Sequence, residues 1–343
     1  MRTSRFTSMV VATCLLVVGL ALLSVAHGST PMRWAEVAAA LAGPYAPAWG
    51  LSEVALPLQR IVQDLRVPRV VLAVLVGAGL AVVGVMLQTV TRNDLADPFL
   101  FGLSSGASAG AVAVITTTGE LLGVWTLPLA ALCGALVSAA LVLALVQKTQ
   151  GTGPEKLILA GLASSFLLGA VTHYLVFAGD QRAAHSVLFW TLGGLGLARW
   201  DNIALAIGGL FLLLLFAARK RHALDGMLAG DETALTLGLS PPRLRAEVFA
   251  VSAIATACFV ALTGVIGFVG LMVPHMARAL CGALHTRLVA MAALFGAVLM
   301  LGSDLLCRTL LPPQELPIGI VTAALGGFFV ITLVLRGRSG TPI

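Results

Sequence analysis

The sequence predicts an all-α polytopic membrane protein of about ten transmembrane helices, and three observations carry that reading. Of the 343 residues, 59% are hydrophobic and only 10% are charged, with a mean hydropathy of +1.00. Soluble domains carry roughly 25% charged residues, so a chain this apolar cannot cover itself with polar side chains. Apolar runs follow one another along the chain, most of them near the roughly 20 residues a helix needs to cross a bilayer. The 37 glycines suit membrane helices that pack closely on small residues. The whole of 1–343 reads as one transmembrane domain. Its net charge of +6 is scattered between apolar runs, which argues against a nucleic-acid face. Cys14, Cys133, Cys258, Cys281 and Cys307 all lie in or at the ends of apolar runs, with no Cys-x-x-Cys pair. Neither a metal site nor a disulfide framework is indicated.

Arg2 and Arg5 precede the first run, 9–26. The pattern resembles a secretory signal peptide. The run is long enough to cross, however, and Ser24-Val25-Ala26-His27 is a poor cleavage site, so it is read as an uncleaved span. An outer loop follows. In it Thr30-Pro31 offers a capping hydroxyl and a first-turn proline, and Trp34 and Trp49 suit the membrane interface. Pro44, Pro47 and Pro57 should break any longer helix. Arg66-Val67-Pro68-Arg69 opens the second span, with Pro68 at the helix start. The turn Arg92-Asn93-Asp94-Leu95-Ala96-Asp97-Pro98 leads to the third span, 99–118, where Gly102, Gly106 and Gly110 lay a smooth ridge on one face. Further spans are expected at 126–146, 157–178, 200–218, 248–263, 271–284, 288–307 and 317–335.

The stretch 219–245 is the longest polar break with basic residues at both ends, and positive flanks stay in the cytoplasm. Within it Asp231 can cap a short helix, and Gly238 can end it in a left-handed turn. Glu232, Ala234 and Gly238 fit the spacing Glu-Ala-Ala-x-x-x-Gly, with Thr233 in the second place. That spacing resembles the loop by which ABC-importer permeases touch their ATPases; a plain cytoplasmic connector is the other reading. With the N-terminus inside, 14 of the 21 Lys and Arg lie on the cytoplasmic side and seven outside, the bias expected of a correct orientation. Both termini are then cytoplasmic. Arg66, Arg69 and Arg308 are among the seven, where charge bias alone would not put them.

No catalytic set is present. A P-loop needs Gly-Lys-Ser/Thr, and Lys148, Lys156 and Lys220 do not follow glycine. Asp304, near the outer end of the ninth span, is an ionisable residue close to the membrane and so a functional candidate. Arg308, one helical turn later, is its natural partner. The span centres carry almost no charge. That argues against the alternative class, an ion-coupled secondary transporter, which needs titratable groups at mid-membrane.

Several blocks together resemble the FecCD-type permeases, the membrane subunits of importers for iron-siderophores, haem and cobalamin. They are Arg66-x-Pro68-Arg69, a Gly-rich span ending near Gln88, Arg92-Asn93-x-Leu95-Ala96-Asp97-Pro98, and Gly102-Leu103-Ser104-Ser105-Gly106-Ala107. The match continues through Gly264-Val265-Ile266-Gly267-Phe268-Val269-Gly270-Leu271-x-x-Pro274-His275-x-x-Arg278 and Glu315-Leu316-Pro317-Ile318-Gly319-Ile320-Val321-Thr322. Asp94 departs from the family, which usually has proline there.

The resemblance implies a type II ABC importer permease with an inverted internal repeat, approximately 66–178 and 244–335. It implies a homodimer with its pathway at the dimer interface. Two ATP-binding cassette subunits would hold ATP and Mg, and this chain would carry no cofactor. A periplasmic substrate-binding protein, membrane lipid and the bacterial inner membrane complete the setting. A ferric-siderophore is the expected cargo, with haem and cobalamin open. By the same resemblance Asp231, Glu232, Ala234, Leu235, Gly238 and Leu239 couple to the ATPase. Asn93 and Leu95 narrow the cytoplasmic end of the pathway. Arg66, Arg69 and Arg308 receive glutamates from the binding protein, unless lipid headgroups or intrachain partners take them.

Overall fold

The computed structural model describes residues 3–28, 32–52, 54–117, 123–148, 153–179 and 183–337; Thr30-Pro31 lies outside them. All regular structure among the described residues is helical. In order the helices are α1 (Thr3–Ala26), α2 (Trp34–Ala42), α3 (Leu56–Arg60), α4 (Val67–Thr91), α5 (Leu103–Thr117), α6 (Thr126–Lys148) and α7 (Glu155–Ala178). Then come α8 (Ala184–Thr191), α9 (Ile203–Leu228), α10 (Asp231–Thr236), α11 (Pro241–Thr263), α12 (Val269–Cys281), α13 (His285–Thr309) and α14 (Ile318–Gly337).

Among the described residues, eight helical stretches are long and apolar enough to cross a membrane. Two expected spans are shorter: α5 has 15 residues and α12 has 13. At 1.5 Å per residue these reach only about 20 Å, against a hydrocarbon core of ~30 Å. Their starts therefore lie within the membrane's thickness. Gly270, at the start of α12, meets Gly84 of α4 so closely that a Cβ on Gly84 would collide with Gly270 O. Gly84 lies seven residues before the end of α4 at Thr91, so α12 begins about 10 Å above that end. Irregular backbone at such depth is tolerated only where protein covers it. Here the turn Pro98–Phe101 packs against α7, α5, α4 and α11, with Pro98 and Phe101 buried, and Ile266 is buried in the stretch before α12.

The second span also differs from expectation. Pro57 starts a helix rather than ending one, and one continuous helix runs 36 residues from Leu56 to Thr91. Pro68 lies inside it, not at its start. A π-helical turn at Ile61–Arg66 shifts the bonding by one residue, Val67 N donating to Val62 O. That turn accommodates the donor Pro68 lacks.

The centre of the fold is α4, because 83% of its most apolar window is buried against 22% for α7 and α14. It packs against α13, α9, α11 and α12. Glycines set the closest crossings: Gly77 of α4 meets Gly296 of α13, and Gly106 of α5 meets Gly134 of α6. The packing is reciprocal. While α4 packs on α13 and α12, α11 packs on α6 and α5.

Candidate coupling, gate and docking sites

The polar stretch 219–245 is mostly helical. The helix α9 runs to Leu228, beyond the expected span end at 218. Gly230, at φ 102°, turns the chain into α10. Asp231 does not cap this helix. It is the first helical residue, and both its carboxylate oxygens accept from Arg245 Nη2 at 2.7 and 2.8 Å. Gly238 does close it: at φ 77° it lets Leu239 N reach Ala234 O at 3.0 Å. Ala234 is fully buried, and Leu239 packs back beside Gly226 of α9. Of the six expected coupling residues, then, Asp231, Ala234 and Leu239 anchor the short helix, Ala234 buried and the other two partly covered. Glu232 is exposed, and Leu235 and Leu237 are 59% and 64% exposed. Two exposed leucines on an anchored polar loop are an unsatisfied apolar contact.

The gate turn is built from the end of α4. Arg92 adopts φ 49° and stops the helix. Asn93 Oδ1 then accepts from Leu95 N at 2.9 Å, so the Asn93 amide shapes its own turn, while Leu95 stays 45% exposed. Behind the turn lies a junction that sequence reading did not assemble. Pro274 inside α12 has no N–H, so Gly270 O lacks its helical donor. Gln88 Nε2 supplies one, donating to Gly270 O and Leu271 O at 3.2 Å each. Gln88 Oε1 accepts from Arg278 Nη2 at 2.8 Å, and Arg278 Nη1 donates to Asp94 at 2.6 Å. Asp94, the departure from the family pattern, thus pins the gate turn to α12. Asp97 Oδ1 accepts from Phe99 N at 2.8 Å and starts the 3-10 turn Pro98–Phe101. Gln88, Pro274 and Arg278 were visible only as scattered motif letters.

The outer arginines have partners within the chain. Arg66 and Arg308 are only 6% and 4% exposed, and they cap α1. Arg66 Nη1 donates to Val25 O and Ala26 O at 2.8 and 2.9 Å. Arg308 Nη1 donates to Ser24 O and His27 O at 3.0 Å each. A helix C-terminus leaves its last carbonyls without donors, and these two guanidiniums supply them. Both commit Nη1 to the end of α1, and both still line the outer pocket, so a docking role for them stays an expectation. Asp304, 1% exposed, lies 2.9 Å from Arg308 Nη2, as its helical spacing suggested, and also accepts from Arg69 Nε at 2.8 Å. Arg69 Nη1 reaches Glu315, itself 39% exposed, at 2.7 Å. Within this cluster, Glu315 brings the Arg69–Glu315 pair nearest to the outer surface. The three arginines, Gly28 and Glu315 line one outer pocket of about 200 Å³.

The chain as a whole is similar to known proteins in sequence and in fold. The family model described as the FecCD transport family covers residues 15–336. The haemin transport permease HmuU of Yersinia pestis is 37% identical over 80% of this chain and 83% of its own length. The cobalamin import permease BtuC of Halobacterium salinarum is 39% identical over 92% and 82%. The Fe(3+)-citrate import permease YfmE of Bacillus subtilis is 40% identical over 81% and 83%. Among solved structures, a metal-chelate-type ABC transporter in an inward-facing conformation superposes with a TM-score of 0.82 at 29% identity. It covers 96% of this chain and 99% of its own. The chain belongs to the FecCD transport family, and is a multi-pass ABC transporter permease.

Proposed function

We propose that this permease works as a homodimer in a bacterial inner membrane, with both termini cytoplasmic. It imports a ferric chelate of the siderophore class, delivered by a periplasmic binding protein and driven by two separate ATPase subunits. The observation that carries the coupling is the exposed pair Leu235, on the anchored helix α10, and Leu237, just after it. Apolar side chains on a polar loop call for a partner surface. Of the relatives named above, two carry iron chelates in their names, haemin and ferric citrate. The reciprocal packing of α4 on α13 and α11 on α6 supports two inverted repeats, 66–178 and 244–335, about a pathway that the second copy completes. Asn93 and Leu95 then face their counterparts across the cytoplasmic end.

The test is uptake in proteoliposomes holding this chain, its ATPase and its binding protein. Ferric hydroxamate, haemin and cobalamin are offered in parallel. ATP-dependent entry of the hydroxamate supports the reading, and preference for haemin or cobalamin replaces the cargo but keeps the class. Entry driven by an ion gradient without ATP would overturn it.

A further inference from the structure

We infer that Asp225, His285 and Thr89, together with Arg245, are the positioning residues that tie the coupling helix to the gate turn through the last turn of α4. The inference rests on the proposed partnership with an ATPase and deepens it.

Two polar arms leave the neighbourhood of α10 and end on adjacent residues. The first starts at Asp225, on the cytoplasmic extension of α9. Its Oδ1 accepts from His285 N at 2.9 Å and from His285 Nδ1 at 2.7 Å. Leu284, the N-cap residue of α13, makes no side-chain cap, so a carboxylate from another helix caps α13, at the end where the dipole favours it. A carboxylate that only accepts fixes a proton on Nδ1. Nε2 then faces Thr89 Oγ1 at 3.0 Å. With Nε2 protonated the hydroxyl accepts from the ring and keeps its own donation to Val85 O at 2.8 Å; with Nε2 bare, its single proton is shared between Val85 O and the ring. His285 and Thr89 are 2% and 5% exposed.

The second arm starts at Asp231, the first residue of α10. Arg245 Nη2 grips its carboxylate, and Arg245 Nε donates to Val90 O at 2.9 Å. Val90 O is among the last carbonyls of α4, which lack helical donors. Arg245 is 5% exposed, and a forked, permanently charged side chain suits a buried clamp. The arms meet at Thr89 and Val90, and Asn93 begins the gate turn three residues later. A shift of α10 or of the end of α9 is therefore passed to α4 by short, buried, directional bonds. Thr–His–Asp is also the make-up of a hydrolytic triad. Here Thr89 is buried, with its hydroxyl also 2.8 Å from Val85 O, so the set links helices and does no chemistry.

Spatial continuity alone does not establish coupling, so the test measures it. The full chain carries a fluorescent label on Leu95→Cys, with the native cysteines replaced, and is assembled with its ATPase in nanodiscs. The readouts are co-purification of the ATPase, ATP turnover and the ATP-dependent change in the label. Thr89→Val keeps shape and loses the hydroxyl, Asp225→Asn loses the charge, and Arg245→Gln cuts the second arm. Each is expected to keep ATPase binding, with turnover within about twofold, while the label's response falls about tenfold. Thr89→Val with Asp225→Asn should lose no more than the worse single variant, because both cut one arm. Ser138→Ala, a buried hydroxyl on Gly102 O in the other half of the fold, should leave the response intact. An unchanged label response in Thr89→Val and Asp225→Asn would overturn the inference. So would loss of ATPase binding in those variants, which would make them assembly residues. Failure of the parent chain to bind any ATPase would instead overturn the proposed function.

Discussion

Gln88 offers the sharpest test of how the turn at Arg92–Asp97, the proposed gate, is held to the helix behind it. Replacing it by leucine keeps the approximate volume but removes one donor pair and one acceptor from a site 2% exposed. The consequences differ among its partners. Leu271 O lies where His275, four residues on in α12, still carries an N–H, and Ala96 O loses a long contact at 3.4 Å. Arg278 keeps Asp94 at 2.6 Å. Gly270 O loses the Gln88 donor at 3.2 Å and has no N–H four residues on to replace it, because Pro274 carries none. A lost hydrogen bond costs about 0.5–1.5 kcal/mol net, and a buried group left unsatisfied about 1–3 kcal/mol. Gln88→Leu should therefore destabilise the protein by about 2–4 kcal/mol. Pro274→Ala restores the missing donor. In that background the same change should cost ~1–2 kcal/mol less. The assay is a double-mutant cycle on unfolding free energy in detergent micelles, with uptake measured alongside. Additive effects of the two changes, within about 0.5 kcal/mol, would refute the claim that Gln88 substitutes for the proline's missing bond.

Four further outcomes follow from the same geometry. Gly84→Ala should abolish assembly of α4 on α12, because its Cβ would fall on Gly270 O, and a stable, active variant in size-exclusion and uptake assays would contradict that crossing. Gly238→Pro and Glu232→Lys should abolish uptake while the protein still inserts; Pro cannot adopt the φ of 77° at Gly238, and wild-type uptake would make the loop a connector. Asn93→Ala with Leu95→Ala should raise passive dye leak in proteoliposomes, and unchanged leak would count against the gate. Arg69→Glu should weaken docking of the binding protein and remove its salt dependence, whereas Arg66→Ala should instead lower thermal stability by freeing the carbonyls of α1; the reverse pattern would restore Arg66 as a docking residue.

The positions of the spans were legible because lipid demands runs of apolar residues, and no competing force blurs that signal. Depth was not legible. Leu103–Thr117 and Val269–Cys281 sit in apolar runs of ordinary length, and the flanking irregular backbone is apolar too, since protein and not water surrounds it. The coupling turn could be read because Gly238 must supply a left-handed residue at a fixed offset. Which of its residues face outward could not, since Ala234 and Leu235 are neighbours with opposite fates. The Asp225–His285 bond joins residues 60 apart, and no local pattern in the sequence connects them.

The arginines show why charge position alone misleads at a membrane rim. Arg66 and Arg308 on the outer side violate the usual bias, and such a violation demands a reason. Docking a partner is one reason. The other is internal: α1 ends at Ala26 inside the protein, and its last carbonyls need donors that carry no further hydrogen-bond demand of their own as acceptors. Arginine has five donors and no acceptor, so it can be sunk beside a helix end at the cost of one compensating carboxylate. Asp304 is that carboxylate, shared between Arg308 at 2.9 Å and Arg69 at 2.8 Å. Removing one member of such a buried set costs about 3–5 kcal/mol because it strands the others. With three guanidiniums against Asp304 and Glu315, the cluster keeps one net positive charge at the rim. Arg69, whose second arm reaches the half-exposed Glu315, is where that charge meets the outside, and an incoming carboxylate would compete there with Glu315 alone.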